Sequence, residues 1–538
     1  MPRARRHSRV PLTRRGFLGA GAAGAGVVLL GTGALPSEAA PQGPKLLGDP
    51  FTLGVASGDP LPNSVVLWTR LAPEPLAEDG TGGMPSRNVP VQWEVATDEA
   101  FRRVVKRGAV VATPALNHSV HPEVWGLQPG REYFYRFRTG AHVSDVGRTR
   151  TAPAEGSRLG QMSLAVASCA HWSAGFYTAY RHIAEEDVDL VLHVGDYIYE
   201  NGVPHGGARG VDVPSHLTPE TVTLERYRLQ YSLYKSDPDL RAAHAAHPWV
   251  VTLDDHEVDN DWADMVNGNA NQQEGFRQRR IDAFQAYYEN LPLRASAVPE
   301  GPDMQLYRTL RFGDLVEINV LDTRQYRDDQ AAGGGQAIPN PDSLAEGRTM
   351  MGWEQEKWLL REFERSRARW QVLGNQAPMA ETDMDTGEPV SLFMDPWDGY
   401  DANRRRVLNG ARERGVENLV VLTGDRHRHH ASNIKADYRD PSAPTMASEY
   451  LCTAVSTEGD GADQDAYCLN ALAANPHIKF ANYRRGYIRA TVTPDRWTTD
   501  FRVVPYITQP GAPISTRATF VTEHGLPGVQ LDSEGPVV

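Results

Sequence analysis

A chain of 538 residues, 40% of them hydrophobic, can bury one large core and a smaller module, so two domains are expected. A net charge of -13 without a long acidic block argues against a nucleic-acid partner held through phosphate neutralisation. Abundant Gly and Pro with low mean hydropathy favour a loop-rich soluble enzyme over a membrane protein.

Residues 1–40 read as an address. "LTRRGFLGAGAAGAGVVLLGTGALPSEAA" sets Arg14 and Arg15 before a Gly/Ala-rich apolar stretch and a small-residue exit near Ser37 to Ala39. This is the pattern of a twin-arginine signal peptide, and its glycines disfavour both a structural helix and a stable membrane span. The expected partner is the twin-arginine export machinery, and the expected location is secreted or extracytoplasmic. Such proteins are exported folded, often with a metal already loaded.

Residues 45–152 alternate short strands with turns. "SVVLWTRL", "VPVQWEVATD" and "REYFYRFRTG" place aromatic and β-branched residues at strand spacing, predicting an all-β fibronectin/Ig-like sandwich. After a Pro/Gly-rich joint, residues 160–520 change character. "MSLAVASC", "VDLVLHVGD", "HPWVVTLDD", "LVEINVLDT", "RWQVLGNQ" and "ENLVVLTGD" are short apolar runs, with helical patterns such as "RQRRIDAFQAYYENL" and "WEQEKWLLREFERSR" between them. Continuous apolar strands alternating with helices predict an α/β sheet covered on both faces. "YRRGYIRATVTPDRWTTDFRVV" predicts a late strand pair, and residues 521–538 read as a C-terminal tail. Of three cysteines, Cys452 and Cys468 are near enough in sequence to pair, leaving Cys169 as a buried hydrophobe or a bound thiolate.

Five of the predicted strand ends carry candidate ligands: Cys169 with His171; Asp196 with Tyr197 and Tyr199; Asp254, Asp255, His256, Glu257, Asp259 and Asn260; Asn375 and Gln376; and Asp425, His427 and His429. In open α/β folds, ligands gather beyond the carboxyl ends of strands. Alone, "LTGDRHRHH" suits a charged surface turn; with four similar strand ends upstream it reads as the end of a metal site.

The blocks "GDYIY", "DDHEVDND" and "GDRHRH" resemble the ordered motifs of calcineurin-like metallophosphoesterases. With "SCAHW", "GNQAPM" and "DPWDGY", the β-rich module and the export signal, the chain is most similar to the PhoD-type family of extracytoplasmic alkaline phosphatases and phosphodiesterases. The resemblance spans roughly residues 45–520. It implies a metallophosphoesterase β-sandwich core flanked by helices, acting on phosphate esters. Cys169 stands where many members carry an aspartate, and Asp255 and Asp425 stand where Asn and His are usual. Cys169, Asp196, Tyr199 and His427 together suit ferric iron (Fe3+). Asp196, Asp255 and Asp425 supply mainly oxygen and suit calcium (Ca2+), one ion or two. Asn260 is a further amide ligand or a turn cap, and Gln376 a substrate contact, a ligand or a backbone support. His256 is the expected catalytic residue over the phosphate, while His171, His429, Asp395 and Asp398 are expected to support the site. A phospholipase D-like enzyme acting on lipid headgroups is the alternative activity, and a non-catalytic metal or phosphate scavenger the alternative class.

Overall fold

A computed structural model describes residues 48–538, so the signal-like segment 1–40 lies outside the described residues. The first nine strands are β1 (Val55–Leu61), β2 (Ser64–Arg70), β3 (Val89–Ala96), β4 (Val104–Ala112), β5 (Ser119–Val120), β6 (Glu123–Trp125), β7 (Glu132–Thr139), β8 (His142–Val143) and β9 (Gly147–Arg150). In β3, β4 and β7 buried positions alternate with more exposed ones, as an antiparallel sheet with one wet face requires. These three form a five-stranded antiparallel sheet with β8 and β9.

The N-terminal sandwich is not self-contained. Its second layer is built by β1 and β2, and β1 pairs in parallel with the catalytic strand Pro248–Val251, Ser57 lying opposite Pro248. Val65 and Leu67 of that layer pack on Val91, Val95, Tyr135 and Phe137 of the other. The ion pair of Arg308 with Asp59 at 2.6 Å further ties this edge to the catalytic domain.

The remaining strands are β10 (Met162–Ala170), β11 (Leu190–His193), β12 (Pro248–Val251), β13 (Arg308–Phe312), β14 (Val316–Val320), β15 (Gln336–Ala337), β16 (Trp370–Gly374), β17 (Leu392–Phe393), β18 (Leu419–Thr423), β19 (His429–Lys435), β20 (Thr445–Leu451), β21 (Ala454–Ser456), β22 (Ile478–Asn482), β23 (Arg485–Val492), β24 (Arg496–Val504), β25 (Ser515–Glu523) and β26 (Leu526–Glu534). Apart from β15 and β17, which pair with each other, they join two large sheets, as the family resemblance implies, where the apolar runs alone suggested one. The first has the order β26-β25-β24-β23-β10-β11-β12-β1-β2-β5, and the second β13-β14-β16-β18-β20-β19-β22.

Side-chain alternation explains why these strands read as unbroken apolar runs. Leu164, Val166, Leu190 and Leu192 of the first sheet meet Ile318, Trp370, Val372, Val420 and Leu422 of the second in the central core. Ala165, Ala167 and Val191 face the other way, into a cluster with Ile183, Tyr227, Tyr231 and Phe284 on the helices Thr178–Glu185, Leu224–Lys235 and Phe276–Asn290. Leu373 and Val421 likewise meet Leu359, Phe363 and Val407 on the helices Trp353–Arg365 and Asp401–Glu413. The result is helix, sheet, sheet, helix, with the central strands β10, β11, β16 and β18 buried on both faces.

The chain end departs from the predicted tail. β25 and β26 form an antiparallel hairpin that completes the edge of the first sheet. Among the described residues, no helix is long and apolar enough to cross a membrane.

Candidate metal centre and active site

The parallel strands β10, β11 and β12 of one sheet, and β18 of the other, end at a common cleft. Two glycines let the strand ends approach. A Cβ on Gly195 would lie 2.4 Å from the Asp254 Cβ, and one on Gly424 would lie 2.3 Å from the Ser168 Oγ. The glycine of each GD pair therefore sets the backbone spacing of the cleft, and the aspartate supplies the donor.

The donors themselves are held in an uncommon backbone region. Cys169, Asp196, Asp425 and His427 have φ of 56°, 55°, 74° and 56°. Left-handed non-glycine residues cost on the order of 1–3 kcal/mol each and persist where the surroundings over-determine them. Here the surroundings are visible. Cys169 N–H donates to Gly195 O, and Ala170 N–H to Asp196 O at 2.9 Å. The Glu257 carboxylate accepts from the backbone of Asp196 at 3.2 Å and of Asp254 at 2.7 Å, binding two strand ends together.

Two groups of donors meet within coordination range: Cys169, Asp196 and His427, and Asp196, Asp255 and His256, each set with ligand atoms within 4.8 Å of one another. Asp196 belongs to both. The Cys169 thiol donates to Asp196 Oδ2 at 3.4 Å, the Tyr199 hydroxyl donates to the same oxygen at 3.2 Å, and Tyr199 Oη lies 3.0 Å from His427 Nε2. The Tyr199 ring is stacked between His171 and His256, at centroid distances of 4.6 and 4.1 Å.

The donor set fits cations. Asp196 Oδ1, Asp254 Oδ2 and Asp425 Oδ2 are buried oxygens with no hydrogen-bond partner, a costly condition that a bound cation relieves. Burial, reinforced by neighbouring carboxylates, holds the Asp196 carboxyl, the Cys169 thiol and the Tyr199 phenol well above their ordinary pKa ranges. Burial also pushes Asp425 up to about 6. Positive charge among these groups reverses that tendency. Burial and the nearby Arg485 keep His427 well below the usual histidine range, so its imidazole is neutral and offers a lone pair.

Arginines brace the oxygen-rich side. Arg324 Nε donates to Asp254 at 2.6 Å, its other nitrogens reach Asp395 at 3.0 and 3.2 Å, and Asp255 lies 3.6 Å away. Burial opposes ionisation of Asp255, but Arg324 and His256 outweigh it and set its carboxyl below the usual range. Both Asp255 oxygens accept backbone N–H groups, from His256 at 3.0 Å and Asp261 at 2.8 Å. His256 Nδ1 sits 2.7 Å from Glu200 Oε2. Burial disfavours its charged form, yet Glu200, Asp255 and Asp196 together hold its pKa well above the ordinary value.

Other predicted residues take supporting places. Gln376 does not face substrate: it is fully buried, accepts from Thr323 Oγ1 at 2.6 Å, and donates to Thr252 Oγ1 and Leu321 O at 2.7 Å each. Its polar atoms knit three strand ends together, which corrects the substrate-contact expectation. Asn260 is exposed, and its backbone N–H points to Glu200 at 3.4 Å. His171 hydrogen-bonds Ser173, and His429 accepts from the Thr453 N–H and packs edge-on to Phe501. Asn375 joins Trp397 to Ala377, and Asp259 pairs with Arg279. Asp395 is held by Arg324 and Arg327, and Asp398 by Arg404. Cys452 and Cys468 are both free and buried, so the anticipated pairing is absent. The Cys452 thiol instead donates to Val166 O at 3.1 Å.

Sequence reasoning missed Glu200 and Arg324. Glu200 directly follows "GDYIY", and a carboxylate there could have been matched to the histidine of "DDHE". Arg324 lies in "LDTRQ", past a strand end that carries no obvious ligand motif.

A sandwich of two sheets between helices thus carries, at its strand ends, two donor groups that share one carboxylate. The profile of the PhoD-like phosphatase family matches residues 164–501, and that of the PhoD-like phosphatase N-terminal domain matches residues 38–153. The chain belongs to the PhoD-like phosphatase family. Alkaline phosphatase D of Bacillus subtilis (strain 168) is 49% identical over 487 residues, covering 90% of this chain and 83% of that protein. The solved structure of PhoD superposes with a TM-score of 0.88 at 49% identity, covering 92% of this chain and 94% of that chain.

Proposed function

We propose that the protein is a secreted, metal-dependent phosphoesterase that hydrolyses phosphomonoesters and phosphodiesters and releases phosphate for scavenging. The observation that carries this reading is Asp196, the one carboxylate common to both donor groups and bearing a buried oxygen without a partner. The similarity to alkaline phosphatase D supports the phosphatase half of the proposal. The twin-arginine pattern of residues 1–40 supports the secreted half.

Cys169, Asp196, Tyr199 and His427 would hold ferric iron, since the anionic phenolate and carboxylate oxygens suit a hard trivalent cation and the thiolate and imidazole complete a mixed-donor set. Asp196, Asp255 and Asp425 would hold calcium, one ion or two, with Asn260 as an outlying candidate. Bound there, the metals supply Lewis-acid stabilisation of phosphoryl charge and a water acidic enough to attack phosphorus. The chain's own residues do the rest. Arg324 keeps Asp255 ionised and in place, while Glu257 fixes the backbone that carries Asp196. Glu200 holds the ring of His256 through Nδ1, and His256 would stabilise charge on the phosphoryl group or the leaving oxygen.

The test combines metal analysis of the purified protein with hydrolysis of p-nitrophenyl phosphate, bis(p-nitrophenyl) phosphate and phosphatidylcholine vesicles at alkaline pH. Iron with calcium, turnover of both soluble esters, and activity removed by a calcium chelator and restored by calcium are expected. Turnover confined to phosphatidylcholine would make the enzyme a phospholipase. No turnover at all would leave a scavenger.

A further inference from the structure

The cleft is surrounded by arginines, and nearly all of them are occupied. Arg324 and Arg327 are held by Asp395, Arg404 by Asp398 and Asp401, and Arg428 by Asp465. Arg426 differs. It lies between the two candidate ligands Asp425 and His427, and its guanidinium makes no hydrogen bond to any described residue. Its nearest carboxylate oxygen is Asp425 Oδ2, at 3.8 Å. That same oxygen is one of the three unpartnered buried carboxylate oxygens of the cleft.

Arg426 is nevertheless fixed. Its guanidinium carbon lies 4.5 Å from the centroid of the Phe393 ring, and its side chain is 20% exposed. A planar cation laid on an aromatic face, partly exposed and with its N–H groups free of hydrogen bonds to the described residues, is pre-organised to receive an oxyanion. The other carboxylates nearby, Asp395 and Asp398, are already matched by their own arginines. Arg426 has only the long 3.8 Å approach to Asp425, a carboxylate that a bound cation would claim, and makes no hydrogen bond that fixes its guanidinium to any described residue.

Resting on the phosphoesterase reading above, we propose that Arg426 binds a non-bridging phosphoryl oxygen of the substrate and biases this site toward phosphomonoester dianions over phosphodiester monoanions. The chemical basis is charge. A phosphomonoester, with a second pKa near 6, carries close to two negative charges at alkaline pH. A diester carries one and has only two non-bridging oxygens. A fixed guanidinium beside the metal ligands gives the third oxygen of a monoester a charge-assisted partner that a diester does not need.

The experiment compares wild type with Arg426→Met, which keeps an aliphatic stem over Phe393, and Arg426→Lys, which keeps the charge and loses the fork. For Arg426→Met, kcat/KM on p-nitrophenyl phosphate should fall by about 10- to 100-fold, the range of one charge-assisted hydrogen bond. On bis(p-nitrophenyl) phosphate it should fall by less than about 5-fold. Inorganic phosphate should bind the variant correspondingly more weakly by calorimetry, with metal content and melting temperature as in wild type, and Arg426→Lys should fall between the two. Equal losses on both esters, or loss of metal, would show that Arg426 merely braces Asp425 and would overturn the proposal, as would unchanged phosphate binding. Inactivity of the wild type on both esters would refute the phosphoesterase reading itself, a result separate from the phosphate-binding contrast between wild type and variant.

Discussion

The two sides of the cleft are built differently. On the thiol and phenol side the donors touch one another: Cys169 and Tyr199 both donate to Asp196 Oδ2, and Tyr199 reaches His427. Cys169, Tyr199 and Ala454 form a small buried cluster of their own. On the carboxylate side the groups are braced by arginines and backbone N–H groups instead. Asp254 is held by Arg324, Asp255 by backbone N–H groups and the same arginine, and Asp425 by little beyond the approach of Arg426. A protonated thiol and phenol carry no charge and can be packed against one carboxylate, whereas three carboxylates in one buried space need cations to coexist. Arg324 supplies that permanently, and a bound metal would supply the remainder.

Asp196 belongs to both sides, so its replacement should break the comparison altogether. Asp196→Asn should remove both metals and lower activity on soluble phosphate esters by more than about 100-fold, beyond the range typical of a supporting residue. Metal analysis and steady-state kinetics check this, and an active variant with either metal retained would sink the shared-carboxylate assignment. Arg324→Gln should separate the two sides. It leaves Asp254 buried without its arginine and takes from Asp395 one of its two arginines, and removing the partner of a buried ion pair costs about 3–5 kcal/mol in comparable networks. Denaturant unfolding should register that loss, calcium affinity should drop, and iron should stay. Unchanged stability with unchanged calcium binding would mean that the carboxylate side does not depend on Arg324.

Much of this site was legible because ligands sit at strand ends and strand ends are marked by apolar runs. Cys169, Asp196, Tyr199, Asp255 and His427 converge as their spacing and family resemblance suggested. Gln376 was misleading for a physical reason: a polar residue just past a strand can serve the neighbouring strand ends as well as a ligand, and only packing distinguishes the two. Arg324 was invisible because its partner Asp254 lies 70 positions away and nothing local encodes the pairing. The same holds for the fold. Strands β2, β3 and β7 of the N-terminal module were recognisable from their aromatic and β-branched residues. The parallel pairing of β1 with β12 was not, because strand register between distant segments is set by tertiary packing. The last hairpin was missed since β26 is mostly exposed and lacks an apolar run.

The smallest expected change is the sharpest probe of the thiol and phenol side. Tyr199→Phe removes a single oxygen. Its ring keeps the stacking on His171 and His256, and its backbone N–H still donates to the Tyr234 hydroxyl at 3.1 Å, so the fold should hold to within about 1 kcal/mol. What disappears is the donor that meets both Asp196 and His427. With ferric iron held by this phenolate, the wild type should be coloured through charge transfer, and the variant should lose most of the visible band. Activity should fall only about 10-fold, because Cys169, Asp196 and His427 remain to hold the metal. Absorption spectroscopy beside metal analysis distinguishes loss of the phenolate from loss of iron. A variant that retained iron and the wild-type band would show that Tyr199 is packed against the metal side without binding it, and the two sides of the cleft would then differ in charge alone.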